Sequence, residues 1–373
     1  MQDAKAWVDL GITQAIYHRS RDAELAGIGW TTDDLDKMRQ VSALGIELSI
    51  TGVIVPEDIY LFEGIKTKTF IAGRALAGAE GQQTAADRVG LYEKALPNHL
   101  SWEEKLACTK ELGFDFLEIS VDESDERRSR LDWDDATIYS LHRLCEEYGV
   151  PLQSMCLSAH RKFPFGSADP ALRDEALKIM QKAITLAYKL GIRTIQLAGY
   201  DVYYEPANSA THQRFIEGMQ HAARLAERAG VMLAVEIMDT PYLNALSKFE
   251  VLNRQIQSPF FTAYPDVGNI SGWNYDLLTE LSLSKPHITQ IHLKDTYKVS
   301  EQYAGQFRDL VIGEGDVDFD ELFCRLKALD CVVPLVIEMW AHDEQWQQHI
   351  HTAQRRLNQA CDRAELPRLF PHL

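Results

Sequence analysis

Residues 229–239, AGVMLAVEIMD, contain the unit on which the fold depends. A helical stretch ends at Ala229-Gly230, where glycine suits the left-handed conformation of a helix end. The apolar run 231–238 then has the composition of a buried strand. Other helical stretches end in the same way, at Leu112-Gly113, Tyr148-Gly149 and Leu190-Gly191. This alternation predicts an α/β protein with parallel strands.

From residue 88 onward the unit recurs, so that eight strands are expected. The strand-like runs are 88–92, 114–120, 152–158, 194–200, 231–238, 260–266, 288–294 and 334–340. Helical stretches follow them, most clearly at 171–190 and 208–229. Eight units in about 285 residues predict a (β/α)₈ TIM barrel. The alternative, an open doubly wound sheet, would usually have fewer strands and a glycine-rich phosphate turn, which this sequence lacks.

Residues 1–86 repeat the pattern on a smaller scale. A helix at 1–10 precedes strand-like runs at 12–18, 46–51 and 67–72. Three parallel strands cannot close a barrel and leave open edges. We therefore expect two parts, a partial β/α fragment of a second barrel over 1–86 and a complete barrel over 87–373.

Composition narrows the possible partners. The net charge of −17 argues against nucleic acid, since its phosphates are bound by clustered Lys and Arg. The first residues, MQDAKAWVDLG, have no apolar signal region, and no apolar run approaches the ~20 residues of a membrane span. The six cysteines form no CxxC pair, which favours reduced thiols. We expect a cytoplasmic protein with no membrane or nucleic-acid partner.

The last four strands of the predicted barrel each end with a residue that can bind a metal ion. They are Glu236, Asp266, His292 and Glu338. Functional side chains of such barrels lie at the carboxyl ends of the strands, and a carboxylate in an apolar strand is costly unless it is paired or bound to metal. Three carboxylates and an imidazole suit Mn²⁺, Mg²⁺, Co²⁺ or Zn²⁺. For any one of them alone, an ion-paired structural role is an equal alternative.

These residue types also indicate a reaction. A divalent metal ion with open positions polarises a carbonyl group and stabilises an enediolate. Two glutamates can then remove a proton next to the carbonyl and return one to the other face, which is general acid–base chemistry. Glu236 and Glu338 are the natural catalytic pair for such an epimerisation.

Residues 88 to about 365 resemble the L-ribulose-5-phosphate (L-xylulose-5-phosphate) 3-epimerases of the L-ascorbate and L-xylulose pathways, within the xylose-isomerase-like barrels. The stretches that carry the resemblance are LGFDFLEISVDESDERRSRLDW, SMCLSAHRKFPFGS, IQLAGYDVYYEPAN, EIMDTP, YPDVGN, HLKDT, GEGDVDF and IEMW. The resemblance implies that the four residues hold one divalent metal ion. It also implies a metal-dependent interconversion of L-xylulose 5-phosphate and L-ribulose 5-phosphate at C3.

The resemblance further suggests substrate-binding residues, and the sequence offers cations for a phosphate group. The expected set is Glu118, His160, Asn269, Lys294, Arg127 and Arg130. Asn269 stands where sugar 3-epimerases of this superfamily often have a histidine, so it can contact a hydroxyl but cannot transfer a proton. The cations after strands 2 and 3 are Arg127, Arg128, Arg130, Arg161 and Lys162, and guanidinium groups suit phosphate through bidentate bonds. Arg127 and Arg130 rank first. The alternative for this loop is a solvated, salt-bridged surface.

Residues 1–86 resemble the last three strands of 3-keto-L-gulonate-6-phosphate decarboxylase, through IYHRSRDAELAGIGW, GIELSITGVIVPEDIYLFEGI and FIAGRAL. Carried over from that family, the remnant site comprises His18, Arg21, Thr51, Gly52, Gly73 and Arg74. Val53 replaces a second glycine of the family, and the first five strands with their acidic and lysine residues are missing. We therefore expect a gene fusion in which this part has no decarboxylase activity.

Three other functions remain open from the sequence. An aldose–ketose isomerase of the hydroxypyruvate type would use the same metal but move hydrogen between C1 and C2. An endonuclease-IV-like phosphodiesterase would need more zinc ligands and a basic face, against which the charge of −17 counts. A sugar-phosphate-binding protein, in which the four residues are only structural, is the non-enzymatic alternative. A homodimer is also possible.

Overall fold

A computed structural model of the protein describes residues 89–373. The predicted fragment 1–86, with its three strands and the remnant-site residues His18, Arg21, Thr51, Gly52, Gly73 and Arg74, lies outside the described residues. The division of the chain near residue 87 therefore stays a prediction.

Eight parallel strands form the predicted barrel. They are β1 Val89–Tyr92, β2 Phe116–Val121, β3 Leu152–Leu157, β4 Thr194–Leu197, β5 Met232–Glu236, β6 Phe261–Tyr264, β7 Ile291–Leu293 and β8 Leu335–Ile337. Their order in the sheet is β6-β5-β4-β3-β2-β1-β8-β7. Isolated bridges from Ala263 to Ile288 and from Asp266 to His292 join β6 to β7 and close the barrel. Most strands are shorter than predicted, because their ends bend away into loops.

Helices alternate with the strands. They are α1 Trp102–Glu111, α2 Asp125–Arg128, α3 Asp135–Tyr148, α4 Pro170–Leu190, α5 Ser209–Ala229, α6 Leu246–Ile256, α7 Val267–Gly272, α8 Leu277–Ser284, α9 Phe319–Ala328 and α10 Trp346–Arg363. The predicted glycine ends of α1, α3, α4 and α5 are confirmed, since Gly113, Gly149, Gly191 and Gly230 all have positive φ. Within 89–373 none of these helices combines the length and the apolar character that a bilayer crossing requires.

The bounds of α5 follow from its sequence. Asn208 begins it, because the Asn208 side chain accepts hydrogen bonds from the Ala210 and Thr211 N–H groups and the Thr211 hydroxyl accepts one from the Asn208 N–H. Phe215, Met219, Ala222 and Ala226, spaced three or four residues apart, form its buried face. This face packs in the main hydrophobic core, which lies between the strands and the surrounding helices.

A separate apolar cluster of Tyr92, Phe116, Cys156 and Val336 fills part of the barrel interior. Gly90 makes room for it, since a Cβ there would lie 2.2 Å from the Phe116 ring. Alternate residues of a strand face the same side. On β2 the residue two positions after Phe116 is therefore also interior, and it is the buried Glu118.

Candidate functional site

The carboxyl ends of the last four strands bring together the four residues that the sequence analysis selected. Glu236 is the last residue of β5, Asp266 precedes α7, His292 is in β7 and Glu338 follows β8. Each residue offers one ligand atom, and these atoms lie within 4.8 Å of one another. All four side chains are buried, and a backbone bridge joins Asp266 to His292. We call these four residues the quartet.

The imidazole of His292 directs its two nitrogens to different sides. Nδ1 lies 3.1 Å from Oε1 of Glu236 and 3.7 Å from Oε2 of Glu338. Nε2 lies 2.8 Å from Oε1 of Glu118, which is outside the quartet. Nδ1 is therefore the nitrogen that faces the other quartet residues.

Two buried oxygens of the quartet, Oδ2 of Asp266 and Oε2 of Glu338, share one ammonium group. Nζ of Lys294 forms ion pairs with them at 2.8 and 3.4 Å. Three buried carboxylates beside one ammonium group and one imidazole are short of positive charge, which a divalent cation would supply. Three carboxylates and one imidazole are also a ligand set that such ions accept. The residues present therefore fit a divalent metal ion.

Burial and mutual charge shift the pKa values within the quartet. Burial raises the pKa of Asp266 to about 8 and also raises the pKa of Glu236. Burial opposes ionisation of Glu338 as well, but attraction to Lys294 and His292 outweighs it and brings the pKa of Glu338 to about 2. The carboxylates thus differ in proton affinity although they are close together. A bound divalent cation would favour the ionised form of each.

Lys294 and Asn269 lie beside the quartet and are bonded to each other. The Asn269 amide nitrogen donates to the Ile237 carbonyl at 2.8 Å, and its oxygen accepts from Nζ of Lys294 at 3.0 Å. The predicted contact of Asn269 with a substrate hydroxyl would have to share an oxygen that already accepts from Lys294. In the structure Asn269 holds the Lys294 ammonium against the quartet.

Glu118 was expected to line the substrate pocket, but the structure places it behind His292. Its side chain is 0% exposed and accepts hydrogen bonds from the hydroxyls of Ser154 and Tyr264 at 2.6 and 2.9 Å. The reason is its register, since Glu118 is the third residue of the six-residue strand β2 and so lies below the strand end.

His160 was also expected near the substrate, and its contacts are with α4 and Phe165. Its Nε2 lies 3.0 Å from the Ala176 carbonyl oxygen, and its ring stacks on Phe165 at 4.8 Å. Burial lowers the pKa of His160 to about 4. These contacts match the hydrogen-bonded structural role better than a substrate contact.

The two arginines ranked first for phosphate are engaged in ion pairs. Arg130 donates to both oxygens of Glu93, at 2.5 and 2.8 Å, and lies over the rings of Trp102 and Trp133. Arg127 donates to Asn98 and, at 3.5 Å, to Asp122. Both arginines are buried, so their positions support neither the phosphate role nor the solvated loop. Glu93, 37 residues away in sequence, neutralises Arg130, and the nearby Asp122 pairs with Arg127.

A cleft of ≈ 670 Å³ is lined by three cations, Lys94, Arg161 and Lys162, by two carboxylates, Asp122 and Glu123, and by Ser124 and Tyr204. Lys94 pairs with Asp122 at 2.6 Å, and Nε of Arg161 is buried without a hydrogen-bond partner. Arg161 and Lys162, which the sequence also offered for phosphate, are more exposed than Arg127 and Arg130.

Sequence reasoning missed three polar residues that support the quartet. Gln196 of β4 donates to Oε2 of Glu236, while Ser154 of β3 and Tyr264 of β6 bond to Glu118. All three could have been found from the sequence, because each is a polar or amphipathic residue in the middle of an apolar strand. Such a residue has to face other polar groups inside the barrel, since it cannot be buried without partners.

Comparison with known proteins gives consistent matches over the described part of the chain. The family model of the xylose isomerase-like TIM barrel matches residues 106–360. SgbU of Escherichia coli (strain K12), provisionally named L-ribulose-5-phosphate 3-epimerase, is 55% identical over 253 residues, which are 68% of this chain and 88% of that protein. The L-ribulose-5-phosphate 3-epimerase UlaE of Escherichia coli O157:H7 (strain EC4115 / EHEC) is 49% identical over 253 residues, 68% of this chain and 87% of that protein.

Solved structures share the fold at lower identity. An L-ribulose 3-epimerase aligns with a TM-score of 0.61 and 19% identity, over 74% of this chain and 95% of its own. The D-psicose 3-epimerase of Clostridium cellulolyticum H10, in a structure with D-tagatose, aligns with a TM-score of 0.61 and 16% identity, over 73% and 99%. At these identities the likeness bears on the fold alone.

Proposed function

The chain belongs to the xylose isomerase-like TIM barrel family, in its L-ribulose-5-phosphate 3-epimerase group, and from this membership we propose that it interconverts L-xylulose 5-phosphate and L-ribulose 5-phosphate at C3. Relatives that are 48–55% identical show that the chain belongs with isomerases that epimerise a pentulose phosphate. The proposal of proton transfer at C3 is supported by the quartet, in which ligand atoms of two glutamates, an aspartate and a histidine lie within 4.8 Å of one another.

The quartet would hold one divalent metal ion through Glu236, Asp266, His292 and Glu338. When bound, such an ion supplies polarisation of the substrate carbonyl, which makes the neighbouring C–H group more acidic. Three buried carboxylates, two of which share one ammonium group, and the Nδ1 atom of His292 support this assignment. The identity of the ion among Mn²⁺, Mg²⁺, Co²⁺ and Zn²⁺ is a matter for measurement.

Glu236 and Glu338 are the proposed catalytic pair. One carboxylate removes the proton from C3, the electrons of the C–H bond form the C2–C3 double bond, and the π electrons of the C2 carbonyl move to its oxygen, which gives an enediolate. The other, in its protonated form, returns a proton to C3 on the opposite face, the C2 carbonyl reforms, and the configuration of C3 is inverted. The two glutamates exchange protonation states in each turnover, and the reverse reaction uses them in the opposite roles. Gln196, bonded to Oε2 of Glu236, fixes the orientation of that carboxylate.

We assign the phosphate group of the substrate to the cleft that Lys94, Arg161 and Lys162 line. The Tyr92 ring lies between the cleft and the quartet. Its centroid is 6.0 Å from Nζ of Lys94 and 6.2 Å from the centroid of the His292 ring. Lys94 is held by Asp122 at 2.6 Å, while Nε of Arg161 has no hydrogen-bond partner. A phosphate group would supply the acceptor that Arg161 lacks. Replacing Arg161 by methionine should raise KM for the phosphorylated sugar more than it lowers kcat.

Proton NMR of L-xylulose 5-phosphate in D₂O, with protein loaded in turn with each of the four ions, tests the reaction. Deuterium at C3 together with L-ribulose 5-phosphate is the expected result. Label at C1 or C2 with formation of an aldose would move the protein to the aldose–ketose isomerases. Absence of exchange with every ion would contradict the proposal and favour a binding protein.

A further inference from the structure

We propose that Glu118 is a positioning residue that acts through His292, fixing the orientation of the imidazole so that Nδ1 is available as a metal ligand. This inference rests on the proposed function, because it concerns the metal ion of the same quartet. It replaces the substrate contact expected for Glu118 from the sequence.

The carboxylate of Glu118 has two differently used oxygens. Its Oε2 accepts from the hydroxyls of Ser154 and Tyr264, at 2.6 and 2.9 Å. Its Oε1 lies 2.8 Å from Nε2 of His292. Gln290 in turn donates to Oγ of Ser154 at 3.3 Å. Since two hydroxyls fix Oε2, the other oxygen is held in place facing the imidazole.

The same contacts hold the His292 ring from two directions. The Tyr264 ring meets it edge-on, with centroids 4.6 Å apart, and the Glu118 carboxylate meets its Nε2. Nε2 is thereby committed to the Glu118 oxygen, and a hydrogen on Nε2 satisfies that contact. Nδ1, which faces Oε1 of Glu236 at 3.1 Å and Oε2 of Glu338 at 3.7 Å, is then the nitrogen that would bind a metal ion placed among the quartet carboxylates.

Two other roles for Glu118 fit the structure less well. It is 0% exposed, so a substrate in the barrel mouth would have to displace protein atoms to contact it. Within the described residues it is not a member of the group whose ligand atoms lie within 4.8 Å of one another. Its contact with that group is through the imidazole of His292, whose Nε2 lies 2.8 Å from Oε1 of Glu118. Carboxylates in this position relative to a metal-binding histidine raise metal affinity by orienting the ring and increasing its basicity.

Zn²⁺ affinity in a double-mutant cycle tests the proposal. The proteins are wild type, Glu118→Gln, His292→Gln and the double variant, and the Kd is measured by competition with a chelator. A glutamine cannot present acceptors to His292, Ser154 and Tyr264 at once, so one contact is lost or the ring adopts the wrong tautomer. Glu118→Gln should weaken Zn²⁺ binding by about 10- to 100-fold when His292 is present. It should have almost no effect in the His292→Gln background, because Glu118 acts only through that ring.

Tyr264→Phe is the matched variant, since it keeps the ring against His292 but removes one donor to Glu118. It should weaken Zn²⁺ binding less than Glu118→Gln, and the Tm of each metal-free variant shows whether it is folded. Equal losses from Glu118→Gln in both backgrounds would overturn the positioning role and indicate a general structural effect. Unchanged affinity in a folded Glu118→Gln protein would also overturn it.

Turnover separates this inference from the proposed function. Coupling of Glu118 to His292 in Zn²⁺ binding, without epimerisation of either pentulose phosphate, would support the positioning role and contradict the proposed reaction. Epimerisation by the wild type without that coupling would leave the reaction standing and overturn the role of Glu118. No measurable Zn²⁺ binding by the wild type would overturn the role of Glu118, and turnover with Mn²⁺, Mg²⁺ or Co²⁺ would still decide the reaction.

Discussion

Individual side chains of the site differ in what they do according to their position along a strand. Glu338 follows the end of β8 and belongs to the quartet, whereas Glu118 lies inside β2 with both oxygens bonded. The first arrangement leaves a carboxylate free to meet a ligand, and the second uses it to hold another side chain. Both residues are glutamates, so the difference between their roles comes from their positions along the strands.

Glu338→Gln should remove one member of the proposed proton-transfer pair. We expect kcat to fall by about 10²- to 10⁴-fold, the usual contribution of a general acid or base, while the protein remains folded. Glu344→Gln, at an exposed glutamate of the same loop region, is the matched control and should retain full activity. Steady-state kinetics with metal-loaded protein provide the measurement. A Glu338→Gln variant with the turnover of the control would exclude the proposed role.

His160 should make the protein less stable in mild acid. Burial lowers its pKa in the folded protein to about 4, whereas an unfolded histidine has a pKa of ~6.5. Below pH ~6.5 the unfolded chain binds a proton that the folded protein does not, so stability falls as the pH falls toward 4. The contribution at pH 5 is about 2 kcal/mol.

Denaturant unfolding of the wild type and of His160→Gln at pH 7 and pH 5 measures this effect. Glutamine can still donate to the Ala176 carbonyl, which His160 Nε2 approaches to 3.0 Å, but it does not titrate. The difference in unfolding free energy between the two pH values should therefore be smaller for the variant. An identical pH dependence in both proteins would show that His160 is not responsible.

At the scale of secondary-structure elements, close backbone approach positions Glu236, one of the two proposed catalytic glutamates. Gly199, just after β4, has so little space that a Cβ would lie 2.4 Å from the carbonyl oxygen of Glu236. The glycine therefore lets the loop pass directly over the end of β5. A change in the backbone at Gly199 would therefore shift the backbone of Glu236.

Gly199→Ala should displace the backbone that carries Glu236. A misplacement on the order of 1 Å costs roughly 10²-fold in activity, so kcat/KM should fall by about that factor. Gly113→Ala is the matched control: no atom lies within 4 Å of its Cβ position, but its φ of +78° makes alanine strained. The control should lose about 1–2 kcal/mol of stability and keep its kcat/KM. Equal kinetics for the two variants would contradict the prediction.

The loop between β7 and α9 is organised by one carboxylate. Asp295 is buried and accepts hydrogen bonds from the N–H groups of Thr296, Gly313, Gly315 and Val317. Asp295→Asn would turn an amide NH₂ group toward N–H donors. We expect a loss of about 1–3 kcal/mol in the free energy of unfolding, measured by denaturant titration. Full stability in this variant would show that the loop is held by other contacts.

At the scale of the whole molecule, the eight strands of the barrel are contained in residues 89–373. The sheet closes through the bridges between β6 and β7, and β1 pairs with both β2 and β8. The closure is complete within this range. The barrel therefore has the pairing it needs from its own strands.

Removal of residues 1–86 should accordingly leave the barrel folded and active. The expected result is an unchanged Tm and an unchanged kcat/KM for the truncated protein, measured beside the full chain. Limited proteolysis near residues 75–88 gives a second view of the same boundary. A truncated protein that aggregates or loses its turnover would show that the barrel depends on the N-terminal part.

The predictability of the site depended on how far apart the interacting residues are in sequence. The quartet was found because each member marks the end of its own strand, which is a local signal. The partners of Arg130 and His292 were not, since Glu93 lies 37 residues from Arg130 and Glu118 lies 174 residues from His292. No local pattern reports such pairs. Arg127 and Arg130 were selected as phosphate contacts from their guanidinium groups and their place after β2, without knowledge of their partners.

The sequence by itself determined the alternation of strands and helices, the glycine ends of four helices and the four strand ends that carry the quartet. These features depend on a residue's immediate neighbours and on the period of each element. Only the tertiary structure decided which glutamates belong to the quartet and which one lies behind His292, and which cations line the cleft. Barrel closure places β2 across from β7, so Glu118 meets His292 although the two residues are far apart in sequence.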